Sequence, residues 1–260
     1  MAMNVKFVAR FWRHGVIFGI VFGSLVVLLG RPPFGQDPRY HDFADRRSCL
    51  GVPNCLDVVS NAPFLLVGAA GLRLCMRRRF AGALLSWMVF FAGVALVSAG
   101  SAAYHWRPSN GTLVWDRLPM TIGFMALFVA LLSEFINRKL ERVLLGPALL
   151  AGFASVLYWH FFDDLRFYVW VQFMPLIVIL ALLAFFRSRF THQWPLLGAL
   201  ACYVAAKAFE AFDHEVFRWT QGAIGGHAFK HLLAAAGCGL ILEMLRKRTP
   251  MEGFSESSGT

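Results

Sequence analysis

Charge is scarce in this chain: only 15% of its 260 residues are Asp, Glu, Lys or Arg, against 58% hydrophobic residues with 26 Phe and a mean hydropathy of +0.57. A composition this apolar excludes a water-soluble globule. Long polar stretches are absent as well, and neither an internal repeat nor a low-complexity segment is present, which excludes a separate soluble domain. The five cysteines include no CxxC pair, so no paired-cysteine metal or redox motif exists. Cys75, Cys202 and Cys238 read as small apolar residues in or beside spans. Cys49 and Cys55, six positions apart, could join in an oxidising compartment, but nothing in their spacing requires it. Finally, no small-x-small cleavage site follows the first apolar run, which ends in "LLGRPPFGQ". That run is therefore expected to be a retained helix and not a removed signal peptide.

What is present is a series of apolar runs near the length of a bilayer span. Eight can be drawn, at 14–30, 55–73, 82–105, 117–136, 143–162, 167–186, 194–213 and 226–245. Short connections join them, so the expected fold class is an all-α integral membrane protein with eight transmembrane helices in one bundle. The tail "TPMEGFSESSGT" is small and polar and is expected to be disordered. The net charge of +10 fits the positive-inside rule better than a nucleic-acid partner. With a cytoplasmic N-terminus, fifteen basic residues fall on the inner side, among them Lys6, Arg10, Arg13, Arg73, Arg77, Arg78, Arg79 and Arg246. Eight, including Arg39, Arg117 and Arg218, fall on the outer side. Both termini are then cytoplasmic.

In that topology the ionisable residues gather in the outer half of the membrane: His105, Asp116, His160, Asp163, Asp164, Glu210, Asp213, His214, His227 and His231. Each such group costs about 2.5 to 3.5 kcal/mol on insertion scales, so a cluster at one depth points to one polar cavity. In "GGHAFKH", His227 and His231 are four apart and share a helix face. Ser101 and His105 in "SAGSAAYHW" share a face in the same way, and after the turn "RPSNG" Asp116 is expected at the start of the next helix. Three histidines from two helices fit the ligand pattern of catalytic zinc, which keeps a fourth position for water. Beside such an ion Asp116 suits a general base and acid, and Ser101 suits a hydrogen-bond donor to a developing oxyanion. Elsewhere, Lys207, Glu210 and His214 are spaced for an intrahelical ion pair near the cavity mouth, with Glu210 a candidate for supporting the metal ligands. Lys230 falls on another face from the two histidines and is expected to snorkel to the interface.

"SAAYH", the Asp of "WDRLPM" eleven residues after its histidine, and the later "HAFKH" together resemble the alkaline ceramidases, a family within the CREST superfamily of seven-helix membrane hydrolases. "NCLDVVSNAPFLLVG" is similar to that family's first core helix, with its Ser60–Asn61 pair. The resemblance runs from about residue 40 to 245. It implies a helix and short cytoplasmic start at 1–35, a seven-helix core at 36–248 and a tail at 249–260. It further implies a zinc-dependent amidase that cleaves the N-acyl bond of ceramide. His105, His227 and His231 match the zinc ligands, Asp116 the acidic residue near the metal-bound water, and Ser101 the serine beside it. Eukaryotic relatives also hold calcium in an acidic, amide-rich segment. Here Asp42 and Asp45 fit two of its acidic positions, but Arg47 and Asn54 replace an Asn and a Glu. A fixed cation beside calcium is unfavourable, so calcium is not expected. Asp57 is expected to cap its helix or to bond within the bundle.

The implied partners are the membrane and a lipid substrate entering sideways from the outer leaflet. The compact loops and the missing amide-rich segment point to a bacterial inner membrane. Two other classes stay open at this stage: a receptor-like protein with a structural metal, and a metal-free transporter or proton relay.

Overall fold

In the computed structural model, residues 12–77 and 82–251 are described. Lys6, Arg10, Arg78, Arg79 and the tail from 252 lie outside them. The described chain is helical, without strands. Its helices are α1 (Trp12–Leu29), α2 (Cys55–Arg77), α3 (Leu84–Trp106), α4 (Asn110–Phe135), α5 (Lys139–Phe162) and α6 (Arg166–Phe185), then α7 (Pro195–Ala211), the short α8 (Asp213–Trp219) and α9 (Gly226–Lys247). Seven of these are long and apolar enough to cross a membrane. The structure is that of an all-α integral membrane protein, in which helices satisfy every backbone group that hydrocarbon cannot.

The expected seventh span, 194–213, differs in kind. α7 is 17 residues long and turns by 83° into α8 at Phe212. That break separates Glu210 from His214, so the two do not share a helix face. His214 is exposed and its ring contacts the Asp42 carbonyl at 3.1 Å.

α4 is the central helix: 78% of its most apolar window is buried, against 6% for α1. α3 and α5 flank it, α2 packs on α3, and α9 packs on both α7 and α2. α1 sits at the periphery against α6, where Trp170 Nε1 donates to the Val21 carbonyl at 3.0 Å. At the end of α1, Arg166 donates to the carbonyls of Leu29 and Arg31 at 2.7 and 2.6 Å. Two glycines permit the closest approaches of one backbone to another. A Cβ on Gly100 would fall 2.1 Å from the Trp115 carbonyl oxygen, which brings α3 against α4 beside Ser101. A Cβ on Gly226 would fall 2.2 Å from the Phe209 carbonyl oxygen, which seats the start of α9 in the α7–α8 elbow.

α4 begins earlier than its apolar run suggests. Ser109 caps it, accepting from the Thr112 amide at 3.1 Å. Asp116 is therefore nearly two turns inside the helix and 4% exposed, and it does not stand at the N-terminus. Cys49 and Cys55 are joined as a disulfide, with Cα atoms 5.7 Å apart, in the segment before α2.

Candidate metal centre

Near one end of the bundle two helix faces converge. His105 comes from the last turn of α3, while His227 and His231 come from the first turns of α9, stacked one turn apart. Their ring centroids lie 4.7 Å (105 to 227), 4.8 Å (105 to 231) and 5.0 Å (227 to 231) apart. One ring nitrogen from each lies within 4.8 Å of the others, and all three residues are buried. The pairing that i, i+4 spacing suggested for α9 is what the fold uses, and α3 closes the triangle.

The donor set fits a divalent ion. Both ring nitrogens of His105 and Nε2 of His231 are buried without a hydrogen-bond partner, a costly arrangement that an ion relieves at one nitrogen of each ring, the second His105 nitrogen then carrying an unpaired N–H. The surroundings support one tautomer of His231. Its Nδ1 lies 2.8 Å from Ser60 Oγ, which also contacts the Asp57 carbonyl at 3.1 Å. A hydroxyl has one proton. If Ser60 donates it to the carbonyl, it accepts from Nδ1–H and leaves the lone pair on Nε2, the buried nitrogen that has no partner. The His227 amide donates to Asp213 Oδ1 at 2.8 Å, and Asn54 Nδ2 donates to the His105 carbonyl at 2.8 Å. Phe43 stands 4.7 Å from both the His105 and His227 rings, centroid to centroid, and is 3% exposed. Ser60, Asn54, Phe43 and Asp213 carry no spacing relation to the histidines. Ser60 and Asn54 fall in the stretch "NCLDVVSNAPFLLVG" and Asp213 in the outer-half cluster of ionisable residues, while Phe43 carries no such signal.

A cavity opens beside the cluster. Ser101, Asp116, Lys230 and His231 line its polar end. The remainder is apolar, including Phe90, Val94, Leu127, Leu196 and Ile241. From Asp116 to Leu127 along α4 is roughly 16 Å at 1.5 Å per residue, so the apolar part can take a lipid tail.

Other expected site residues fall elsewhere. Asp57 neither caps α2 nor bonds within the bundle: both carboxyl oxygens are buried without a partner. Asp42 pairs with Arg46, and Asp45 accepts from Arg47 Nε and Nη2 at 2.8 and 2.7 Å. Arg47 thus engages both oxygens of Asp45 and Arg46 one oxygen of Asp42, and neither carboxylate joins the histidine cluster. Glu210 pairs with Lys207, as its spacing suggests, and also with Lys230 at 2.7 Å. Lys230 does not snorkel. It is 15% exposed, lines the cavity and places Nζ 3.1 Å from His227 Nε2. Its backbone position lies on another face of α9 from the two histidines, but a four-carbon stem reaches around the turn once Glu210 on α7 offers a counter-charge.

The family model described as Ceramidase matches residues 52–246, the stretch that carries all of these groups from Asn54 to Ile241. The chain belongs to the ceramidase family. Membership implies a hydrolase acting on amide bonds of the ceramide type, and the family is generally metal-dependent. No curated protein matches the chain.

Proposed function

We propose that this ceramidase-family protein is a membrane-embedded, zinc-dependent amidase. It hydrolyses the N-acyl bond of ceramide or a related N-acyl lipid to a free fatty acid and an amine lipid. The observation that carries the reading is a triad of buried histidines, one of which, His231, lines the polar end of an apolar cavity together with Asp116 and Ser101.

His105, His227 and His231 would hold the ion, and three imidazoles with room for a further ligand suit zinc. An ion so held supplies Lewis-acid chemistry, polarising an amide carbonyl and acidifying a water. The other tasks belong to the chain. Its apolar cavity takes the acyl tail and keeps bulk water from the scissile bond. Asp116 accepts the proton of the attacking water and returns it to the departing nitrogen, so the C–N bond breaks to give a neutral amine. Ser101 donates a hydrogen bond to the oxygen on which negative charge develops. The excess of basic residues at the opposite end supports a site toward the outer side of the membrane, both termini cytoplasmic, in a bacterial inner membrane.

The test pairs metal analysis with lipid turnover in the purified protein and in His231→Ala. The expected result is about one zinc per chain and release of fatty acid from an N-acyl lipid, both lost in the variant. Stoichiometric metal without turnover would point to a receptor-like protein. A folded wild type with neither would leave a polar relay.

A further inference from the structure

Lys230 has no task in the chemistry above, yet it is the only cation among the described residues that line the cavity. Its ammonium has two recorded partners, Glu210 Oε1 at 2.7 Å and His227 Nε2 at 3.1 Å. The second is incompatible with an ion on His227. If the ion takes Nε2, the lone pair that accepts from Lys230 is gone. If the ion takes Nδ1, neutral imidazole carries its proton on Nε2, and two donors face each other. Metal loading therefore frees one N–H of Lys230 at the wall of the cavity.

Glu210 cannot absorb the freed charge alone. Its carboxylate already accepts from Lys207 and from the Tyr40 hydroxyl at 3.0 Å, so one carboxylate serves two ammonium groups. Asp116, the one carboxylate among the described residues that line the cavity, attracts Lys230 through space but is not within ion-pair distance of it. A buried ammonium with an open donor is best satisfied by an anionic oxygen. The acyl tail fills the apolar end, so that oxygen must sit on the amine half of the substrate. The 3.1 Å from Nζ to a ligand nitrogen keeps it within a few bonds of the scissile amide.

We propose that Lys230 forms a specificity subsite for an acidic oxygen, a carboxylate or a phosphate, carried by the amine half of the N-acyl substrate close to the amide. The inference rests on the metal-amidase reading for the ion at the three histidines and narrows its substrate class from N-acyl lipids at large to acidic ones.

The test uses the full-length, zinc-loaded protein in nanodiscs and three C16 amides that differ only in the amine half: N-palmitoylglycine, N-palmitoylphosphoethanolamine and the neutral N-palmitoylethanolamine. Binding is read by displacement of labelled N-palmitoylglycine, and fatty-acid release is recorded in parallel, so a failure of hydrolysis is seen separately from a failure of recognition. At least one acid should bind ten-fold or more tighter than the neutral amide, and which acid does so names the oxygen group the subsite takes. Lys230→Met should erase that preference while leaving zinc content and neutral-amide binding in place. Lys230→Arg should keep it, as should Lys207→Met, which alters the same ion-pair network from outside the cavity lining. Equal binding of all three amides by the wild type would overturn the proposal without recourse to any variant. So would a preference that survives in Lys230→Met, since the ion itself would then be the anion site.

Discussion

Two buried polar clusters lie at opposite ends of the same bundle, and they are built on opposite rules. At the end away from the histidines, Glu134 and Arg248 are 1% and 2% exposed, and the carboxylate is fully used. It accepts from Arg248 Nη1 and Nη2 at 2.6 and 2.9 Å, from Trp87 Nε1 at 2.7 Å and from the Ala83 amide at 3.4 Å. At the histidine end, both nitrogens of His105, Nε2 of His231 and both oxygens of Asp57 have no partner at all. A satisfied network fixes helices α3, α4 and α9 against one another and has nothing left to offer a ligand. An unsatisfied one, just as deeply buried, is costly to the apoprotein and makes sense as a site held ready for an ion. Burial alone does not distinguish structure from function here; the count of filled donors and acceptors does.

The comparison breaks most sharply under single substitutions. His231→Ala should lose the ion and reduce amide hydrolysis to background, while the thermal midpoint of the apoprotein holds or rises, because an unpaired buried group has been removed. Asp116→Asn should lower turnover by about 10²- to 10⁴-fold with the ion retained, measured as fatty-acid release per bound zinc. Glu134→Ala should do the reverse. Leaving Arg248 buried without its counter-charge costs about 3 to 5 kcal/mol, read as a lower unfolding midpoint in detergent, with unchanged zinc per folded chain. If Glu134→Ala instead loses zinc in folded protein, the two clusters are coupled and the contrast fails. Ser60→Ala tests the support of one ligand. It should weaken zinc binding by about 10- to 100-fold, measured by competition with a chromophoric chelator.

Much of this was legible in the sequence because helices report themselves through length and period. Apolar runs located the spans, and the four-residue spacing of His227 with His231 and of Ser101 with His105 predicted shared faces that the fold keeps. What escaped has a physical reason in each case. Asp116 was placed at a helix start because apolar content, on which the span was drawn, begins later than the Ser109 cap that starts the helix. The α7–α8 elbow escaped because neither Gly nor Pro marks Phe212, where the chain turns by 83°. Lys230 escaped because its direction is set by Glu210, twenty residues away on a different helix. Phe43, which covers two of the histidines, lies in a connecting segment with no periodicity to read.

That segment also carries the smallest expected effect, and it sharpens the contrast from the exposed side. The strap before α2 is pinned by the Asp45–Arg47 pair, by the Ala44 amide donating to Asp213 Oδ2 at 2.9 Å and by the Cys49–Cys55 disulfide. Burial alone would raise the Asp45 carboxyl, but the hydrogen bonds from the Arg47 side chain and amide outweigh it and hold the group below the usual carboxylate range. A carboxyl depressed in the folded state binds its proton less readily there than in the unfolded chain. Its contribution is therefore complete above the unfolded value of about 4 and is lost as pH falls through the lower folded value. The strap should accordingly loosen on acidification below about pH 4, ahead of the bundle, whose apolar core has no such dependence. Limited acid proteolysis of residues 42–54 between pH 6 and pH 2.5, an interval of roughly 3.5 units spanning that transition, would read the opening directly. Asp45→Asn should make cleavage nearly independent of pH over the same interval, with only a slight rise at neutral pH because Arg47 is half exposed and the pair is partly screened. Should wild type and variant open together, the strap is held by its disulfide and by Phe43 packing, and the cover over the histidines is apolar in origin like the rest of the bundle.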